Sequence, residues 1–260
     1  MSKEVKRYDI SNIENPKFLK KLNYEEIDFL CEDLRSYIID SVSKNGGHLS
    51  SNLGVVEATV ALCKTFDFSK DKIIFDVGHQ CYTYKILTGR KLDNLRQRNG
   101  VSGFRKMNES PYDHYEAGHS STSISATNGM AVARDLKKEK YEIIAFIGDS
   151  SIINGVAIEG LNTLNNPGKT NHKVIIVLND NEMSISEPVG GLSQAFRKIS
   201  NSVLYNKGRD AYSKVMNKTK AGKKVYSFTA GIKNWFKRHL IQMTIFDQLD
   251  YKVIGPIDGH

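Results

Sequence analysis

Cysteine is scarce in this chain: three in 260 residues, Cys31, Cys63 and Cys81. Their odd number argues against a disulfide framework, and their scatter lacks the close pairs of a structural zinc site. Reduced thiols packed as small hydrophobes are expected instead. No run approaches the roughly 18 consecutive apolar residues that a membrane-spanning helix needs. The opening "MSKEVKRYDISNIENP" lacks the apolar centre of a secretion signal, so a cytoplasmic protein with no membrane partner is expected. Internal repeats and low-complexity linkers are also missing. What remains has ordinary globular proportions, 40% hydrophobic and 25% charged. The length suits one large domain or two small ones and is enough to bury a sizeable core.

Acidic side chains are rare in one place. Residues 197–238 hold a single one, Asp210, and contribute much of the net charge of +8. The ordinary reading of such a segment is a solvated excursion over the surface. Tyr205, Tyr212, Tyr226, Phe228 and Trp235 interleave with its basic residues, a composition that also suits nucleic acid. A lid that attracts phosphorylated substrates is the third reading. We expect residues 190–245 to form a basic lid or insertion within a single domain spanning 1–260, with no nucleic-acid role.

Apolar periodicity predicts a helix over residues 23–43, with Ile27, Leu30, Cys31, Leu34, Ile38 and Val42 on one face. Asn23 and Glu26 have the spacing of a capping box, and Gly46-Gly47 supply the stop. A second helix is expected from Leu53 to Phe66, capped by Ser51 or Asn52. "KIIFDVGHQ" predicts a short strand ending in Asp76 and Gly78. "YEIIAFIGDS" and "HKVIIVLNDN" repeat that shape, and "YKVIG" near residue 251 is expected to be a fourth strand. Apolar strands alternating with helices predict an α/β fold: a doubly wound, mainly parallel sheet with helices on both faces. Ligands of such sheets gather at the carboxyl ends of the strands, where the polar turns fall.

Two constellations could carry chemistry. Asp149 follows one predicted strand, and Asn179, Asp180 and Asn181 follow another one helical crossover later. A carboxylate and an amide oxygen brought together in this way suit Mg²⁺, which usually shares its ligands with a phosphate. Gly148 permits a tight turn, and the amides of Ser150 and Ser151 open a helix. "GDS" alone also fits a plain strand-to-helix turn with an N-capping Asp; the "NDN" at crossover distance favours the metal-diphosphate cradle. The second constellation is three of the seven histidines, His48, His79 and His119, each directly after a glycine in a loop before a predicted helix. That setting exposes a titratable ring beside backbone amides. Gly118-His119-Ser120-Ser121 also has the small residues of a phosphate nest.

In order along the chain, "HLSSNLGVVEATVAL", "DVGHQCYTYKILTGR", "GHSSTSIS", "GDSSIINGVAIEGLN", "LNDNEMSIS" and "GPIDGH" resemble the N-terminal domain of the 1-deoxy-D-xylulose-5-phosphate synthase family. The resemblance runs from about Tyr8 to His260. It implies the thiamine diphosphate-binding fold of transketolase-like transferases. It also implies condensation of pyruvate with D-glyceraldehyde 3-phosphate, with loss of CO2, for isoprenoid, thiamine and pyridoxal precursors. By matching positions it implies Asp149, Asn181 and the Met183 carbonyl as Mg²⁺ ligands. Gly118, His119, Ser120, Ser150, Ser151, Asn181 and Met183 fall where the family binds thiamine diphosphate. His79 matches a histidine near the thiamine and the reacting carbon, and His48 one implicated in proton transfer or substrate handling.

The chain departs from the pattern in three ways. Ser150 stands where the family usually has a glycine, which is harmless if its backbone is helical and costly if φ must be positive. The crossover from Asp149 to Asn181 is a few residues longer than usual, with "NNPGKTNHK" expected to take up the extra length in an exposed turn. The sequence also stops short of the glutamate-bearing, pyrimidine-binding domain, so it reads as a C-terminally truncated cofactor-binding part. A homodimer or a complementary chain would then complete the site. The alternatives are a subunit of a split transketolase or two-chain thiamine dehydrogenase, and a non-catalytic paralogue that binds cofactor.

Overall fold

The computed structural model describes residues 7–166 and 170–180, followed by 246, 249–254, 257 and 259. The chain divides into two compact units, Met1–Met183 with Gly259–His260, and Ser184–Asp258. The expected basic lid at 190–245 lies outside the described residues.

The first unit opens with two 3-10 turns, Ile10–Asn12 and Pro16–Lys21, and then the long helix α1, Tyr24–Asn45. The expected capping box is present. Asn23 Oδ1 accepts from the Glu26 amide at 2.9 Å, and the Glu26 carboxylate accepts from the Asn23 amide at 2.8 Å. Gly46 ends α1 at φ 72°, a conformation glycine adopts without strain. Leu30, Cys31, Leu34, Ile38 and Val42 are buried on its inner face.

The second helix is not continuous as expected. A short turn, α2 (Ser50–Leu53), is followed after Gly54 by α3, Val56–Thr65. Neither Ser51 nor Asn52 caps α3, whose N-cap position holds Val55 with no side-chain cap. The Asn52 side chain is instead drawn inward, as described below.

Strand β1 (Lys72–Phe75) leads through a turn to α4, Tyr82–Leu87. A long irregular segment then precedes α5 (Ser123–Leu136), β2 (Ile143–Gly148), α6 (Asp149–Ile152) and α7 (Gly155–Leu164). A small antiparallel pair, β3 (Asn165–Asn166) and β4 (Thr170–Asn171), occupies part of the lengthened crossover before β5, Ile175–Asn179. The main sheet is parallel, in the order β1-β2-β5. The expected fourth strand is not formed: Tyr251–Ile254 has no strand geometry, and the Tyr251 amide bonds the Phe246 carbonyl at 2.8 Å.

Alternation along the strands divides the core. Ile73, Phe75, Ile144 and Phe146 pack with residues of α1, α3 and α4 in one hydrophobic cluster. The intervening Ile74, Ile143, Ala145 and Ile147 are equally buried, and α5 packs on β1, β2 and α7. Both faces of the parallel sheet are therefore covered, as the near-continuous apolar strands implied. All three cysteines are free and buried in or beside this core. Burial pushes the Cys31 thiol up to about 12 and the Cys81 thiol up to about 11, and raises Cys63 as well, which leaves them poor nucleophiles. No helix among the described residues is long and apolar enough to cross a membrane.

The irregular segment before α5 is held by buried charges. Lys85 Nζ lies 2.5 Å from Glu109 Oε2, and Glu109 Oε1 accepts from the Ser102 amide at 2.8 Å. Arg90 and Arg105 converge on Asp113, with both contacts at 2.5 Å. Removing either sign would leave an uncompensated buried charge, so the cluster fixes this segment against α4.

Candidate functional site

Each strand of the main sheet runs into an aspartate at its carboxyl end: Asp76 after β1, Asp149 after β2 and Asp180 after β5. The register pairs Gly148 with Asn179, so the turns bearing Asp149 and Asp180 leave the sheet side by side.

Asp76 is buried and bound to the chain itself. Its Oδ1 accepts from the Ser121 amide at 2.8 Å and its Oδ2 from the Ser123 amide at 3.1 Å. This carboxylate holds the Gly118–Ser123 loop against the sheet and satisfies the start of α5. Ser121, with φ 73°, makes the left-handed turn in that loop. Its hydroxyl donates to the Ser151 carbonyl at 2.8 Å and accepts from Asn154 Nδ2 at 2.8 Å. The 118–121 loop and the turn bearing Ser150 and Ser151 are thereby joined.

The expected nest is narrower than its sequence implied, because Asp76 occupies the Ser121 amide. The amides of His119 and Ser120 have no internal acceptor among the described residues. The exposed His119 ring places Nδ1 3.0 Å from the Ser120 carbonyl, an oxygen to which only a protonated nitrogen can donate. Gly118 lies in the open: a Cβ there would meet nothing within 4 Å among the described residues, and the same holds for Gly148.

His48 and His79 come together. Their rings meet edge to face with centroids 5.6 Å apart, and Phe104 packs against His48 at 5.4 Å. Burial, and then the charge of Arg96, holds His48 below the usual histidine range. Burial, and then His48, does the same to His79 against the opposing pull of Asp76. Both rings are therefore neutral at pH 7, able to accept or pass on a proton. His79 Nδ1 is buried without a hydrogen-bond partner among the described residues. Arg96 and Phe104 also line a cavity of about 550 Å³.

Asp149 begins α6 and is half-buried. Burial raises its pKa; the Ser150 amide opposes this, and the nearby Asp180 adds to it. Ser150 is exposed and helical, so it needs no positive φ and a serine is tolerated there. Asn181 and Met183 lie outside the described residues. Carboxylates on adjacent turns, with burial and mutual repulsion disfavouring the charged Asp149, form an oxygen-rich setting that suits a hard cation. The open backbone at Gly118 and Gly148 and the unpartnered His79 nitrogen suit an anionic group and a polar ring. The residues present thus fit a Mg²⁺-bound diphosphate cofactor.

Sequence reasoning gave no site role to Asp76, Tyr82, Phe104, Arg96 or Asn154; it offered Asn52 only as a helix cap and Ser121 only as part of the phosphate nest. Asp76 had a usable signal, since it ends a strand just as Asp149 does. The others act through tertiary contacts that leave no local pattern.

Over residues 10–260 the chain matches the family described as 1-deoxy-D-xylulose-5-phosphate synthase. It is 51% identical over 247 residues to the 1-deoxy-D-xylulose-5-phosphate synthase of Clostridium beijerinckii, covering 94% of this chain and 40% of that protein. It is 46% identical over 254 residues to the synthase of Macrococcus caseolyticus, covering 97% of this chain and 40% of that one. The chain thus spans about 40% of the length of these curated relatives. Among solved structures, transketolase from Campylobacter jejuni superposes with a TM-score of 0.54 at 19% identity, covering 63% of this chain and 29% of that one. Transketolase from Pichia stipitis gives 0.51 at 21% identity, covering 60% and 27%. At these identities the likeness establishes the fold, and the sequence match establishes the lineage: the chain belongs to the N-terminal part of the 1-deoxy-D-xylulose-5-phosphate synthase family.

Proposed function

We propose that this chain is the part of a 1-deoxy-D-xylulose-5-phosphate synthase that binds the diphosphate end of thiamine diphosphate through Mg²⁺. The observation that carries the reading is the juxtaposition of Asp149 with the Asp180 turn, beside a loop tied to the end of β1 by Asp76 and to the turn after Asp149 by Ser121 and Asn154. Asp149, Asn181 and the Met183 carbonyl hold the cation. Gly118, His119, Ser120, Ser150 and Ser151 hold the diphosphate with backbone amides and hydroxyls. Bound thiamine diphosphate supplies the carbon nucleophile and electron sink that allow pyruvate to lose CO2 and join D-glyceraldehyde 3-phosphate. His48 and His79, held neutral by burial, exchange protons with the reacting groups. The protein acts in the cytoplasm as a homodimer or with a complementary chain, and a glutamate-bearing domain outside these 260 residues completes the catalyst. Identity near 50% to proteins named as synthases favours this over a transketolase or dehydrogenase subunit, for which the likeness is one of fold.

Calorimetry with thiamine diphosphate and Mg²⁺ tests the reading. Binding that Asp149→Ala and Asn181→Ala each abolish is the expected result; unchanged binding in both variants would exclude the metal assignment. A chain that ignores the cofactor but binds RNA with a steep salt dependence would favour a nucleic-acid role for the basic segment.

A further inference from the structure

We infer that Asn52 is a positioning residue, a buried amide that sets the spacing between His48 and His79 by bonding the backbones of both histidine loops. Its Nδ2 donates to the His48 carbonyl at 2.6 Å and to the His79 carbonyl at 2.8 Å. Its Oδ1 accepts from the Tyr82 amide at 2.8 Å, at the start of α4. The residue is fully buried.

The chemistry of the amide explains the choice. The two loops lie far apart in sequence, and neither carbonyl is taken up by a helix or strand ladder. A primary amide offers two donors and an acceptor in one plane, which matches two carbonyls and one amide. Aspartate has the same shape but no donor when ionised, leucine has neither function, and serine has a single donor. Asn52 lies in the four-residue α2 and caps neither that helix nor α3. Its acceptor satisfies the first amide of α4, and both of its donors go to the histidine loops.

Fixing the two carbonyls fixes the backbone beneath both rings, and the ring contact at 5.6 Å follows. Other groups facing the pair are Arg96, Phe104 and the Tyr82 hydroxyl at His48, and Asp76 at His79. None of these bonds both histidine backbones. A proton on one ring opposes a proton on the other, so the amide makes the histidines a coupled pair rather than two independent bases.

The inference takes its catalytic meaning from the proposed roles of His48 and His79, so its test uses the ligand-free chain, where the two can fail separately. The measurement is histidine titration by NMR on the whole chain, with and without His48→Gln. In the native background His48→Gln should raise the pKa of His79. In Asn52→Asp, which keeps the volume and the bond from Tyr82, that increment should fall by about half or more, as coupling through a shared backbone contact predicts. An increment of the same size in both backgrounds would overturn the inference even if Asn52→Asp melts earlier, because a merely structural residue lowers stability without uncoupling the rings. Should the variant fail to fold, the wild type still decides. Slowly exchanging Asn52 side-chain protons with couplings to both histidine carbonyl carbons support the inference, and their absence refutes it. Coupled histidines in a chain that binds no thiamine diphosphate would leave the positioning role standing and remove the functional reading.

Discussion

Asp76→Ala should damage this fold more than a typical substitution, through two bonds. The Asp76 carboxylate accepts from the amides of Ser121 and Ser123 at 2.8 and 3.1 Å, and all three residues are buried. A hydrogen bond to a charged group contributes about 1.5–3 kcal/mol net, and a buried amide left without an acceptor carries its full desolvation penalty. Losing both bonds should cost about 3–6 kcal/mol. In a unit of this size each kcal/mol moves the melting temperature by about 2–4 °C, so a fall of roughly 6–24 °C is expected. Asp76→Asn keeps one acceptor but turns an NH2 group toward the second amide, and should lose roughly half as much. Thermal and urea unfolding followed by circular dichroism measure the loss, and hydrogen exchange locates it. The Ser121 and Ser123 amides should exchange far faster in Asp76→Ala, and thiamine diphosphate affinity should fall because the His119–Ser120 amides are no longer held in place. An alanine variant within about 1 kcal/mol of the parent, with both amides still protected, would refute the reasoning.

Asp149→Asn should stabilise the ligand-free chain, since burial, and after it Asp180, disfavours the charged side chain. The same variant should lose the rise in melting temperature that Mg²⁺ with thiamine diphosphate gives the parent; a less stable ligand-free variant would contradict the assignment. For His48 and His79 the folded pKa lies below the unfolded value of about 6.5, so above that pH neither state takes up protons and no penalty exists. As the pH falls through 6.5 the unfolded chain binds protons that the native chain refuses, and stability drops until the folded pKa is passed. Urea midpoints measured from about pH 7 to 5 should therefore fall less in a His48→Gln/His79→Gln double variant than in the parent. Ser150→Gly should lower stability by about 0.5–1 kcal/mol, because the position is helical; a gain would show that it needs a left-handed backbone.

The legible parts of the fold are those whose cause is local. The Asn23–Glu26 capping box, the apolar face of α1 and the polar turns after β1, β2 and β5 can all be read within a few residues of where they act. The errors share a different origin. "YKVIG" has the composition of a strand, but a strand exists only through a neighbour, and composition carries no record of one. Asn52 looks like a helix cap because asparagine commonly is one, yet its side chain is claimed by the His48 carbonyl four residues back and by His79 and Tyr82 about thirty residues on. At the site, the motif residues of the histidine and glycine loops were visible, Ser121 among them, whereas the bonds of Asp76, Ser121 and Asn154 that tie those loops together were not. A residue that binds ligand can carry a motif; one that holds another loop in place has only a geometry.

That geometry also explains why local rules fail along one edge of the sheet. Val77 is β-branched and has φ 60°, a conformation that costs such a residue about 1–2 kcal/mol. With Gly78 it closes a turn in which the Gly78 amide reaches the Asp76 carbonyl at 2.6 Å, and His79 follows directly. Ser121 also takes a left-handed backbone, His79 Nδ1 is buried without a partner among the described residues, and Asp149 is burdened by burial and by Asp180. Each is unfavourable in the ligand-free protein, and all lie in the turns at the carboxyl edge or in the loop tied to them by Asp76. Strain of this kind persists where the surrounding structure enforces it, and it gathers at binding sites. A cation at Asp149 would remove the repulsion, and a polar ring at His79 would satisfy the unpartnered nitrogen. The same edge that lowers the stability of the empty chain is therefore the one a Mg²⁺-bound diphosphate cofactor would stabilise.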